Sequence, residues 1–171
     1  MINIVIPMAG AGSRFAKAGY KKPTQFIDVL GKPMICHVLD NLNIPDAKFI
    51  LLTRFEHYNN EQETVKWIKS NYKVEFVMID KLTEGAACTV LHAHRLINND
   101  TPLLIANSDQ IVDMDISEYI NDSKKRGLDG SVLCFEDNDK KWSYAKLDKN
   151  IGKYGRLRLN YLKRNHMDIY T

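Results

Sequence analysis

Short apolar runs alternate with stretches of helical period along this sequence, and that alternation narrows the fold more than any other feature. Ile2-Asn3-Ile4-Val5-Ile6, Phe49-Ile50-Leu51-Leu52, Val74-Glu75-Phe76-Val77-Met78-Ile79, Leu103-Leu104-Ile105-Ala106 and Ser131-Val132-Leu133-Cys134-Phe135 read as buried strands. Between them, Met34, Ile35, Val38, Leu39 and Leu42 make a helical stripe behind Pro33, a residue suited to a first helical turn. Residues from about Glu56 to Asn71 read as one charged helix carrying Val65 and Ile68, and Ala87, Val90, Leu91, His94 and Ile97 as another stripe. Strands separated by helices require crossover connections, hence an α/β fold of three layers with a mostly parallel sheet. Ligands of such sheets sit outside the carboxyl ends of the strands.

The chain of 171 residues is 44% hydrophobic, enough for one ordinary core. Its net charge of +3 is concentrated near the end: residues 151–171 carry Lys153, Arg156, Arg158, Lys163 and Arg164 against Asp168. The rest is close to neutral and offers no basic groove. The tail has no aromatic residues beyond Tyr154, Tyr161 and Tyr170 for stacking on bases, so no nucleic-acid partner is expected. Cys36, Cys88 and Cys134 are widely spaced and odd in number, which predicts buried thiols in a reducing cytoplasm rather than disulfides or a zinc knuckle. No apolar stretch approaches the ~20 residues of a membrane span, and the opening run is too short for a signal segment. A cytoplasmic protein with no membrane partner is the expectation.

The first strand runs into Pro7-Met8-Ala9-Gly10-Ala11-Gly12-Ser13-Arg14-Phe15. Small residues let the backbone approach a ligand, its N–H groups can face phosphate oxygens, and Arg14 adds a cation. The glycine spacing fits neither the dinucleotide fingerprint nor the P-loop. On these residues alone, a phosphate-binding loop and a plain strand-to-helix turn both remain open. Asp109, just past the fourth strand, reads either as a metal-binding carboxylate or as a turn cap. Asp113 and Asp115 read as turn and helix N-cap residues. His92 and His94, two apart on a helix, face differently and form no metal pair.

Further blocks follow in order: Lys21-Lys22-Pro23, then Phe26-Ile27-Asp28-Val29-Leu30-Gly31-Lys32-Pro33, Thr83-Glu84-Gly85-Ala86-Ala87 and Ala106-Asn107-Ser108-Asp109-Gln110. Together with the loop, they resemble the nucleotidyltransferase family that includes the sugar-phosphate nucleotidylyltransferases, over roughly residues 1–150. The segments Asn3–Ile35 and Leu82–Val112 are most similar to cytidylyltransferase-like members that act in surface-polysaccharide decoration. The resemblance implies a Rossmann-like, GT-A-like fold. It also implies transfer of a nucleotidyl group from an NTP, CTP or another pyrimidine nucleotide, to a sugar phosphate or other phosphate monoester, with release of pyrophosphate. By the same resemblance, Ala9, Gly10, Ala11 and Gly12 hold base and triphosphate, and Arg14 contacts the phosphates. Gly85 and Ala86 lie near base and ribose, and Asp109 binds Mg²⁺. Trp142-Ser143-Tyr144-Ala145 falls where the family often has an aromatic-glycine pair near the acceptor.

Two departures stand out. The family has lysine after the proline at position 23, where this chain has Thr24; Lys21 or Lys22 is then the available substitute, and Lys22 is taken as catalytic. The Glu-Lys-Pro motif and second metal-binding aspartate of the family are not recognisable in the basic segment 151–171, which reads as a divergent ending of the kind a frameshift or early stop gives. These departures predict a chain that binds NTP and turns over slowly, or a catalytically impaired nucleotide-binding module.

Overall fold

Every strand of the main sheet runs in the same direction, as the sequence pattern requires; among the described residues the order across the sheet is Val74–Ile79, Ala47–Arg54, Ile2–Pro7 and Leu103–Ile105. The structure is a computed structural model describing residues 1–135. Trp142 to Ala145 and the segment 151–171 lie outside the described residues.

In chain order, β1 (Ile2–Pro7) leads into the short helix α1 (Ser13–Lys17) and a 3-10 turn (Thr24–Phe26). A two-residue hairpin, β2 (Asp28–Val29) with β3 (Lys32–Pro33), precedes α2 (Met34–Asn41) and β4 (Ala47–Arg54). Then come α3 (Phe55–Asn60), α4 (Gln62–Asn71), β5 (Val74–Ile79), α5 (Ala86–Leu91), α6 (His94–Ile97), β6 (Leu103–Ile105) and α7 (Ile116–Lys125).

Alternation along the strands builds two cores. Ile4, Ile6, Leu51 and Leu104 face one side, packing with Ile35, Val38 and Leu39 of α2, Val65 and Ile68 of α4, and Ile116 of α7. Val5, Ile50 and Leu52 face the other, with Val90 and Ala93. Ile4, Val5, Ile50, Leu51 and Leu52 are all 0% exposed. Each such aliphatic side chain contributes about 1.5–3 kcal/mol by leaving water. The sheet is therefore sandwiched, giving the expected three layers.

The strand order also contains a reversal. The chain lays down β1, β4 and β5 outward, with α2 and α4 on the first face. It then returns across the sheet to place β6 on the far side of β1, and α5 and the turn after it cover the second face. A right-handed crossover that reverses its direction must change face. The reversal lies between β1 and β6, and it is at the carboxyl ends beside such a reversal that open α/β sheets bind their ligands.

Four sequence expectations need correction. Ser131–Phe135 is not a strand: Ser131 Oγ donates to Tyr119 Oη at 2.7 Å and meets Ser123 Oγ at 2.9 Å, which ties the start of the segment to α7. The single helix expected over residues 56–71 is broken at Glu61, whose φ of −117° and ψ of 37° separate α3 from α4. The stripe expected over residues 87–97 is rotated: Thr89, Val90 and Ala93 are buried, while Ala87, Leu91 and His94 are exposed. Small residues at 89 and 93 let this segment lie close on the sheet, which apolarity alone did not reveal. Of the three cysteines, Cys36 is buried, whereas Cys88 and Cys134 are exposed; all three are free thiols.

Candidate functional site

The loop after β1 is pinned at its base and open at its tip. Met8 N–H donates to Leu52 O at 2.9 Å, the last rung toward β4, and Met8 and Ala9 are each 2% exposed. Gly10 and Ala11 rise out of the sheet into solvent, and among the described residues their N–H groups have no acceptor. Gly12 then takes a left-handed conformation, φ +60°, to start α1. A Cβ at Gly12 would stand 3.0 Å from Thr24 Oγ1. Glycine is required here twice, by backbone angle and by close approach. Thr24 therefore lies against the loop itself, held there by Gln25 and Phe26, which are 4% and 1% exposed.

Arg14 is exposed on α1, and among the described residues it makes no ion pair. Lys22 behaves differently: its Nζ lies 3.4 Å from Glu61 Oε2, at the junction of α3 and α4. Lys21 is exposed.

Gly85 heads α5 with an extended backbone, and among the described residues, its chain neighbours aside, none comes within 4 Å of where a Cβ would stand. Its carbonyl accepts from Thr89 N–H at 3.0 Å and Thr89 Oγ1 at 3.1 Å, with Thr83 Oγ1 at 3.3 Å. Thr83 and Thr89, whose hydroxyls are 2.5 Å apart, thus fix the turn that presents Gly85 and Ala86. Sequence reasoning missed both; the Thr-x-Gly-x-x-x-Thr spacing was the signal.

Asp109 occupies an exposed turn beyond β6, the strand next to β1. Asn107 Nδ2 donates to Gln110 Oε1 at 3.0 Å across this turn. Ala106 N–H donates to Val5 O at 3.1 Å, so the Asp109 turn and the Gly10 loop leave the same edge of the sheet on adjacent strands. Asp115 caps α7 as expected, accepting from Ser117 N–H at 2.8 Å. Among the described residues no group of three His, Cys, Asp or Glu side chains is placed to hold a metal. A divalent ion at Asp109 would rest on one carboxylate plus substrate phosphates and water. That is a donor set Mg²⁺ accepts, so the residues present fit it.

Sequence reasoning also missed a polar cluster behind Thr24. His57 is 9% exposed, with Nδ1 3.3 Å from the Gln25 side-chain amide, while Arg54 Nη2 donates to its Nε2. Arginine only donates, so Nε2 accepts with its lone pair, a role that only the neutral ring can fill. Burial, and next the Arg54 charge, hold the His57 pKa below its ordinary 6.5; Glu56 and Glu61 oppose this. The unfolded chain therefore takes up this proton first as pH falls below about 6.5, and the folded state loses stability until its own lower pKa is passed. Urea midpoints at pH 7.5 and 5.5 are expected to show that loss, and the His57→Gln variant to show a smaller one. Equal slopes in both proteins would remove His57 from the account.

Comparison with known proteins now has a geometry to meet. The family model described as Nucleotidyl transferase matches residues 4–150. The chain belongs to this family. Bifunctional protein GlmU of Methanococcus vannielii is 29% identical over 127 residues, covering 74% of this chain and 29% of that protein. A 2-C-methyl-D-erythritol 4-phosphate cytidylyltransferase of Dechloromonas aromatica is 51% identical over 45 residues, 26% of this chain and 18% of that one. The chain thus spans under a third of the length of these two relatives. The crystal structure of a nucleoside-diphosphate-sugar pyrophosphorylase from Vibrio cholerae RC9 shares the fold with a TM-score of 0.69 at 23% identity, covering 98% of this chain and 70% of that one. Among the described residues no helix is long and apolar enough to cross a membrane.

Proposed function

We propose that this chain binds an NTP at the carboxyl ends of β1 and β6 and transfers its nucleotidyl group to a sugar phosphate or other phosphate monoester, releasing pyrophosphate. One observation carries the reading: the open Gly10–Gly12 loop and the exposed Asp109 carboxylate stand on adjacent strand ends at the point where strand order reverses. The free N–H groups of Gly10 and Ala11 face the triphosphate, Arg14 pairs with its oxygens, and Asp109 holds the divalent ion. The open space at Gly85 suits a flat base. CTP or another pyrimidine nucleotide is favoured, supported by the local identity to a cytidylyltransferase.

An acceptor phosphate oxygen attacks the α-phosphorus in line, a P–O bond forms, and the bond from that phosphorus to the oxygen it shares with the β-phosphorus breaks, that oxygen leaving with the pyrophosphate. The protein supplies no covalent nucleophile; it aligns two anions and neutralises them. The chemistry supplied by bound Mg²⁺ is charge neutralisation on the triphosphate. Lys22, engaged by Glu61, must leave that ion pair to serve the phosphates. The pair is half exposed on the lysine side, so releasing it costs about 1 kcal/mol or less.

Pyrophosphate release, measured over a panel of NTPs and phosphate monoesters with Mg²⁺, tests the reading. Release with one NTP–acceptor pair is expected, and none with any pair overturns it. Arg14→Ala is expected to weaken NTP binding about tenfold, the worth of one charge-assisted hydrogen bond of about 1.5 kcal/mol. Equal affinities by calorimetry would displace Arg14 from the site.

A further inference from the structure

We infer that Asn41 is a positioning residue for the Asp109 carboxylate, acting through the backbone of Val112. The inference rests on the reading of Asp109 as the group that holds the divalent ion. The stretch from Ala106 to Asp115, between β6 and α7, contains no helix or strand. Its first residue is fixed to β1 by the Ala106 N–H bond to Val5 O, and its last is fixed as the cap of α7. Between those ends, the Asn107–Gln110 bond is local. Among the described residues, the hydrogen bonds that tie 107–114 to the rest of the protein come from Asn41 alone.

Asn41 is well suited to the task. It is the last residue of α2, a helix whose Ile35, Val38 and Leu39 are at most 2% exposed, so its backbone is rigidly held. Its side chain makes two bonds to one residue across 71 positions of sequence: Nδ2 donates to Val112 O at 2.8 Å, and Val112 N–H donates to Oδ1 at 3.0 Å. The closed pair fixes both the position and the twist of the Val112 backbone, three residues beyond Asp109. An amide side chain is needed, because it both donates and accepts. Aspartate would keep the bond from Val112 N–H but set a lone pair against Val112 O, and leucine would fill the space with neither bond. Asn41, Asn107, Gln110 and Val112 line one cavity beside β6, so clamp and turn form a continuous support. Groups that orient a metal ligand typically change metal affinity by about 10- to 100-fold when removed.

The experiment titrates Mn²⁺, a spectroscopically visible stand-in for Mg²⁺, into the full chain saturated with CTP, followed by electron paramagnetic resonance. Asp109→Asn is expected to weaken protein-held Mn²⁺ by about tenfold or more, and Asn41→Leu by about tenfold. Unfolding midpoints without metal are measured in parallel. A lowered midpoint with unchanged Mn²⁺ affinity in Asn41→Leu makes Asn41 merely structural and overturns the inference. Should Asn41→Leu fail to fold, Asn41→Asp, which retains half the clamp, carries the same comparison with the same expected direction. If Asp109→Asn weakens Mn²⁺ and neither Asn41 variant does, the clamp fails and the site reading stands. If Asp109→Asn itself leaves Mn²⁺ unchanged, the site reading fails and the inference falls with it.

Discussion

Replacing Asp109 by asparagine is expected to abolish metal-dependent pyrophosphate release while shifting stability by no more than about 0.5 kcal/mol. The two halves of this expectation have separate grounds. Asp109 is exposed in a turn and, among the described residues, has neither an ion pair nor a hydrogen bond from its side chain, so the fold does not depend on it. Asparagine keeps the shape and one oxygen donor but removes the negative charge that draws a divalent cation. Removing a group that organises transition-state charge typically costs about 10²–10³ in rate, and here the loss includes the ion itself. Pyrophosphate release and a thermal scan on the same preparation check both parts. Unchanged metal-dependent release would remove Asp109 from the site, and a collapse of stability would make it structural.

Gly12→Val is expected to weaken NTP binding roughly 30- to 150-fold. At φ +60° a β-branched side chain is strained, and its Cβ would also press on Thr24 Oγ1 at 3.0 Å. The variant loop escapes by abandoning this conformation, at a difference of about 2–3 kcal/mol between relaxed and native-like forms. Binding must then restore the native loop, and each 1.4 kcal/mol of that restoration is a tenfold loss of apparent affinity. Calorimetry with NTP measures it. The contrast is Gly10→Ala, where among the described residues, chain neighbours aside, no atom lies within 4 Å of the added Cβ and φ is not positive, so these residues give no reason for a loss. Equal binding by Gly12→Val and wild type would mean that the left-handed turn does not shape the phosphate site. A loss at Gly10→Ala would come from the ligand side, as expected where a backbone touches phosphate.

Much of the scaffold was legible in advance. Strands at the centre of a sheet covered on both faces are mostly apolar, and β1 and β4, whose Ile4, Val5, Ile6, Ile50, Leu51 and Leu52 are 0% exposed, appear in the sequence as such runs. The α2 stripe was equally plain, because Ile35, Val38, Leu39 and Leu42 sit at helical spacing and all four are buried. Less regular contacts were not legible. Ser131–Phe135 has a strand's composition, yet composition cannot say whether a partner strand is available, and its serine bonds to α7 decide otherwise. The stripe after Gly85 was misjudged because Thr89 and Ala93 are buried for their small size, which a scale of apolarity ranks below Leu91.

The candidate site divides in the same way. The candidate residue types were readable from local sequence: small residues in the loop after a strand, a carboxylate after another strand, an arginine in the first turn of a helix. That the two loops leave adjacent strands was not, since it depends on β6 crossing to the far side of β1. Nor were the supports. Asn41 and Val112 are 71 positions apart, and Gln25 and His57 are 32 apart. By itself, the sequence determined where the four strands of the sheet lie and which of the loops after them carry small or charged residues, because periodicity and residue size act over a few neighbours. The tertiary structure alone decided which loops share an edge, that Lys22 is engaged by Glu61, and that Thr24 lies against Gly12. Those outcomes depend on crossover direction and on contacts between distant segments, for which local pattern carries no signal.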